Sequence, residues 1–320
     1  MGRLVHASPI GLLFAARALN AIAAILIVYS ALRIAPSAVA PVLLWIALLP
    51  ASQMAFCSAS ADAVVLSGVI LFSALLVREV SGRGSSFRAM LAAFACGAAF
   101  AAKFAYLPLA VSGTAQWNRR SILHLVNGAG LGLVVVLWLH SAPARFVALT
   151  PGVDSHLQLA GMISNPLSFP RAFAGALQTY WPQLWIGFVG WVGWLAHPLP
   201  AWAYIVIPAA GLLSLIAGEG HLRIPATTLL SVLLIAALSA GLTALALYLT
   251  WTPVGAPRVQ GLQGRYFLPI AAVSLSVVAA ALSKLEFRRT KALAYMLEVA
   301  TLVYGSIALI STTVRGFGVF

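Results

Sequence analysis

Long apolar runs separated by short polar stretches dominate the chain. A spanning helix needs roughly 20 mostly apolar residues. Residues 8–32, 36–56, 60–79, 122–140, 200–217, 226–250, 266–283 and 292–311 fit that pattern. Two further stretches, 88–118 and 178–195, are apolar but irregular. No internal repeat or low-complexity linker divides the chain. The pattern therefore predicts a single transmembrane domain over 1–320: an all-α, polytopic helical protein with about 9 to 11 membrane segments.

Composition agrees. Apolar residues make up 62% of the chain and charged residues 8%, with a mean hydropathy of +1.00, whereas a soluble domain carries about 25% charged residues. The net charge of +13 would suggest a nucleic-acid partner if the basic residues formed a stripe. They fall instead in short clusters between apolar runs, which excludes nucleic acid and points to cytoplasmic loops beside anionic membrane lipid.

Those clusters set the expected topology in a cell inner (plasma) membrane. Arg78, Arg83 and Arg88, then Arg119 and Arg120, then Lys284, Arg288, Arg289 and Lys291 are placed inside. Residues 88–118 then begin and end inside, which predicts a hairpin of two short helices turning near Lys103. Residues 141–177 form an outer loop carrying Arg145, Asp154, His156, Asn165 and Arg171. Parity makes 178–195 an interfacial or re-entrant segment, and Tyr180, Trp181, Trp185, Trp191 and Trp194 suit the headgroup level. Full crossings at both 88–118 and 178–195 satisfy parity too, but move Arg119 and Arg120 outside. Counting back places 57–62 outside, Arg33 inside and Met1 outside, so a further helix and its loop are expected upstream of this chain.

There is no Walker loop, GxGxxG, HExxH or GxSxG, so any reaction uses a substrate already in the membrane. Cys57 and Cys96 lie in apolar runs without CxxC spacing and read as small packing residues. The acids are Asp62, Glu79, Asp154, Glu219, Glu286 and Glu298. Glu79 and Glu286 sit among basic loop residues, Glu219 lies in a short inside loop, and Glu298 reads as a helix residue near an interface. Only Asp62 and Asp154 fall on the outer side. They are the candidate catalytic acids or ligands of a divalent metal, with His156 as an accessory group.

Asp62 ends the run Ser58-Ala59-Ser60-Ala61-Asp62 and reads either as a helix cap or as a site residue. Arg17 lies deep in its apolar run, where a guanidinium needs a partner or water. A phosphate matches its fork of donors, and snorkelling outward is the alternative. Lys103 has the same two readings. In Gln263-Gly264-Arg265-Tyr266-Phe267-Leu268-Pro269, Arg265 is suited to clamp an anion, Tyr266 to anchor the helix start, and Gly264 to let the backbone approach a ligand. Outward-facing Arg17, Lys103, Arg258 and Arg265 would line a basic cavity fit for a lipid phosphate.

Five blocks in order resemble the DUF2142 family of bacterial membrane proteins. They are Ala15-Ala16-Arg17-Ala18-Leu19-Asn20; Leu49-Pro50 with Ser58 to Ala63; Lys103-Phe104-Ala105-Tyr106-Leu107-Pro108-Leu109; Gly190-Trp191-Val192-Gly193-Trp194-Leu195 with Pro198-Leu199-Pro200; and Gln263 to Pro269. The resemblance implies a fold similar to the GT-C class of membrane glycosyltransferases, which take sugars from polyprenyl phosphate carriers on the outer side and place the catalytic acid in the first outer loop. That acidic, His-bearing loop has no counterpart here. Ala196 also stands where the family commonly has Asp.

The resulting expectation is a GT-C-like protein of cell-envelope glycan assembly, truncated or inactive if the missing loop is essential. Arg17, Lys103 and Arg265 would hold a carrier phosphate, and Asp62 would orient an acceptor or a metal. A transporter or flippase for a lipid-linked or anionic solute, and a noncatalytic subunit of an envelope complex, remain as alternatives.

Overall fold

The computed structural model describes residues 8–82, 101–112, 151–193, 195–283 and 290–317. Among them the chain is helical apart from one two-stranded hairpin. Helix α1 (Pro9–Ile34) opens where the Ser8 hydroxyl accepts from Gly11 N at 3.1 Å and Pro9 fills a first-turn position that needs no donor. It stops at Ala35, which precedes Pro36 and so avoids the helical region.

The run expected as one span over 36–56 is instead two helices, α2 (Ala40–Leu48) and α3 (Pro50–Phe56). Pro50 has no N–H to give the Ile46 carbonyl, and its ring forces Leu49 to an extended ψ of 135°. Side chains fill the gap: Ser52 Oγ donates to Ile46 O at 2.6 Å and Gln53 Nε2 to Leu48 O at 2.8 Å.

Helix α4 (Asp62–Val80) is the most enclosed long helix among the described residues, with α1 and the helix Leu268–Leu282 packed on it. Helix α1 buries Ala24, Val28 and Ala31 and leaves Ile10, Phe14, Leu19, Ile22 and Leu26 exposed. In a spanning helix such a face meets lipid, and small residues on the other side permit close helix contact.

A 3₁₀ turn (Ala101–Tyr106) leads into α5 (Leu107–Val111), and the backbone leaves helical geometry at Lys103 (φ −144°, ψ 87°). The rest of the expected 88–118 hairpin, the expected span 122–140, Cys96, Trp194, and the clusters at 83–88, 119–120 and 284–289 lie outside the described residues, as does Arg145.

Next come α6 (Ser155–Ser164), α7 (Ser168–Val189), strands β1 (Trp191–Val192) and β2 (His197–Pro198), α8 (Ala203–Ile216) and α9 (Ala226–Thr250). A second 3₁₀ turn (Gly264–Phe267) runs into α10 (Leu268–Leu282), and α11 (Thr290–Phe317) follows. Among the described residues, Pro9–Ile34, Asp62–Val80, Ala226–Thr250 and Gly264–Leu282 are long and apolar enough to cross a membrane. The protein is an all-α, multi-pass membrane protein.

The two ends of the bundle differ. At one, Ser37 Oγ donates to Glu219 O at 2.8 Å and Leu222 N to Ser283 Oγ at 3.0 Å, joining the links after α1, α8 and α10. Arg33 and Arg78, in the last turns of α1 and α4, lie at that end. The other end gathers the start of α4, the second 3₁₀ turn and both ends of α7. Near the first end of α7, Ala172 O accepts from Val259 N at 3.2 Å. Just past its second, Gly190 O accepts from Tyr204 Oη at 2.9 Å.

Glu298 is buried at 4% exposure between α11 and α8, where its Oε1 lies 3.1 Å from Ser214 Oγ.

Candidate functional site

The polar residues of α1 meet the loop between α3 and α4. Arg17 Nε donates to Cys57 O at 2.9 Å, and Asn20 Nδ2 donates to Ser58 O at 2.8 Å. Ser58 Oγ donates to Ala55 O at 2.7 Å and lies 2.7 Å from Ser60 Oγ, which accepts from Asp62 N at 3.3 Å. One proton per hydroxyl satisfies this chain if Ser60 donates to Ser58. The loop is thus held from both sides, and Asp62 is fixed as the first residue of α4.

Asp62 is not the cap of that helix; the cap position is Ala61. Its place in the first turn still suits the helix dipole, while its carboxylate forms an ion pair with Lys103, with the two side chains 24% and 33% exposed. The ammonium also lies 5.2 Å from the centre of the Tyr266 ring, and the Arg265 guanidinium lies 5.7 Å from the same ring, both within cation–π range. Tyr106, buried, donates to Tyr266 O at 2.9 Å. These contacts join α4, the turn at Lys103 and the start of α10.

Beside this cluster is a cavity of about 700 Å³ whose polar lining includes Arg17, Asp62, Gln263 and Arg265, with Trp191 and Cys57 on its wall. A volume of that order accommodates a lipid headgroup. Arg17 uses only Nε in its bond to Cys57, and Arg265 makes no hydrogen bond or ion pair among the described residues. Both guanidinium forks are therefore available to an anion.

The expected basic cavity is smaller than four cations. Arg17 and Arg265 line it. Lys103 is neutralised by Asp62, and Arg258 packs against Gly175 of α7 rather than on the lining. Asp154 and His156 are likewise absent from the lining. Asp154 is exposed and caps α6, accepting from His156 N at 2.9 Å and Leu157 N at 3.0 Å, so its carboxylate serves its own helix. His156 is exposed on the first turn of that helix. Cys57, expected as a packing residue, is exposed at the cavity.

Gly264 corrects another expectation. A Cβ there would fall 1.8 Å from Leu184 O and 2.3 Å from Phe188 N, so its missing side chain admits α7, not a ligand. Gly187 is the opposing partner: a Cβ on it would lie 3.1 Å from Gly264 N. Gly190 admits Pro50 and Leu199 in the same way. Leu195, at the cavity, holds a left-handed φ of 57° in the turn between the strands.

The sequence did not signal Leu309 and Thr313 of α11, which complete the wall; nothing in the pattern of this largely apolar helix sets those two positions apart from their neighbours. Among the described residues no three His, Cys, Asp or Glu side chains come together. Asp62 is the one carboxylate on the cavity lining among the described residues.

No curated protein and no solved structure matches the chain. A family model described as Predicted membrane protein (DUF2142) matches residues 1–274. A match over most of the length, on a chain whose helices and apolar faces are those of a membrane protein, places it in a family: the chain belongs to DUF2142.

Proposed function

We propose that the protein binds a lipid-carrier phosphate at the cavity end of the bundle and transfers a sugar from it in cell-envelope glycan assembly. The observation that carries this reading is the convergence of Arg17, Asp62 and Arg265, from three separate helical elements, on one cavity. Arg33 and Arg78 at the opposite end favour placing that end in the cytoplasm and the cavity at the outer face of the inner membrane. Exposed Trp181 and Trp185 on α7 suit a segment lying along the headgroup region.

In the transfer, the acceptor hydroxyl oxygen bonds to the anomeric carbon as that carbon's bond to the carrier phosphate oxygen breaks. The electron pair leaves with the phosphate, held by Arg17 and Arg265, and the hydroxyl proton passes to Asp62. Lys103 fixes the direction of the Asp62 carboxylate.

Purified protein given a radiolabelled polyprenyl-phosphate sugar is expected to move the label to an acceptor and release the carrier phosphate. Asp62→Asn is expected to lower turnover about 100-fold, in the range of a lost general base, with carrier binding retained. Saturable binding without turnover in the wild type would support a noncatalytic subunit instead. The unwound backbone at Lys103 favours the flippase alternative, and net carrier movement across proteoliposomes would support it.

A further inference from the structure

Glu298 lies within the expected span 292–311, far along α11 from the residues that line the cavity. It is 4% exposed, and its Oε1 is 3.1 Å from Ser214 Oγ. The same Ser214 hydroxyl is 2.9 Å from the Ala210 carbonyl, one turn earlier on α8. A hydroxyl has one hydrogen. If it goes to Ala210, the contact with Glu298 is a hydrogen bond only when the carboxyl supplies the proton.

The surroundings point the same way. Helix α11 packs on α8, α2, α3 and the strand pair. Helices α2 and α3 carry no titratable side chain. Tyr204 of α8 is committed to Gly190 O, and His197 belongs to the strand pair beside the cavity. On α11 itself the titratable residues are Lys291, two turns earlier, and Tyr295, Tyr304 and Arg315. The contact shown for the Glu298 carboxylate is the Ser214 hydroxyl, not a cation. An ionised carboxylate buried without a cation is costly inside a membrane protein.

We propose that Glu298 is a proton-binding site inside the bundle: a carboxylic acid that keeps its proton between α11 and α8 and donates it to the Ser214 hydroxyl. Loss of that proton leaves an unpaired carboxylate between two helices, one of which ends in the cavity wall at Leu309 and Thr313. The site is independent of the carrier-phosphate reading.

The test is made on the full chain in lipid vesicles at neutral pH. Infrared difference spectra between wild type and Glu298→Gln are expected to show the C=O stretch of a carboxylic acid that only the wild type has. Dicyclohexylcarbodiimide, which partitions into the bilayer, is expected to add one molecule to the peptide containing Glu298. In that reaction the acid proton passes to one carbodiimide nitrogen, the carboxyl oxygen bonds to the central carbon, and the adduct rearranges to a stable N-acylurea. Ser214→Ala, which leaves Glu298 in place, is expected to keep the adduct and shift the C=O stretch. Carboxylate bands with no adduct in the wild type would overturn the proposal, as would a C=O stretch that Ser214→Ala leaves unmoved.

Discussion

Replacing Arg265 with glutamine is expected to weaken binding of a short-chain polyprenyl phosphate about tenfold, and Arg17→Gln with Arg265→Gln together about 100-fold. Each hydrogen bond from a cation to an anion contributes about 1.5–3 kcal/mol, and roughly 1.4 kcal/mol is a tenfold change in affinity. Arg265 is the cleaner single variant, because it is exposed and its structural contact is with the Tyr266 ring. Arg17→Gln also removes the bond to Cys57 O, so thermal melting of the variant should accompany its binding curve. Arg258→Gln is the control. Its side chain lies beside Gly175 and not on the cavity lining, and its binding curve is expected to match the wild type. Equal losses in all three variants would mean that binding follows net charge rather than the cavity.

The largest effect on stability is expected from Gly264→Ala. The new Cβ would meet the backbone oxygen of Leu184 at 1.8 Å and the backbone nitrogen of Phe188 at 2.3 Å. Backbone atoms inside a helix cannot swing aside as a side-chain tip does, so α7 must move off the start of α10. Overpacking of this kind costs about 3 kcal/mol. Because α7 leads directly into Trp191 and the strand pair at the cavity, the variant is also expected to bind carrier phosphate poorly. Gly241→Ala on α9 supplies the contrast: nothing lies within 4 Å of its added Cβ, and alanine is the better helix former. Its melting temperature is expected to equal or exceed that of the wild type, while that of Gly264→Ala falls well below it.

The long helices were legible because their signal is local: an unbroken apolar run has the length of α1, α4 or α9. The break at Pro50 was not, because hydropathy runs through Leu49-Pro50-Ala51 unchanged while the missing N–H alone divides the helix. Arg17, Asp62 and Arg265 stood out as charges in apolar surroundings, and the structure brings those three to one cavity. The pairing of Asp62 with Lys103 was hidden, since nothing in either segment names the other. For Asp154 the local pattern, an acid directly before a helical segment, is that of a cap, and the structure shows the cap. For Gly264 and Gly187, only the three-dimensional approach of α7 shows what the absent side chains admit.

Sidedness is tested most directly by labelling with a membrane-impermeant maleimide on intact cells, in a Cys96→Ser background. Native Cys57 is exposed at the cavity, and Arg258→Cys places a second thiol in the exposed loop before Arg265. Arg33→Cys marks the opposite end of α1. Labelling of positions 57 and 258 from outside, with position 33 reactive only after permeabilisation, is the predicted result. Positions 57 and 258 reacting from opposite faces, or both only after permeabilisation, would contradict an outward-facing phosphate site.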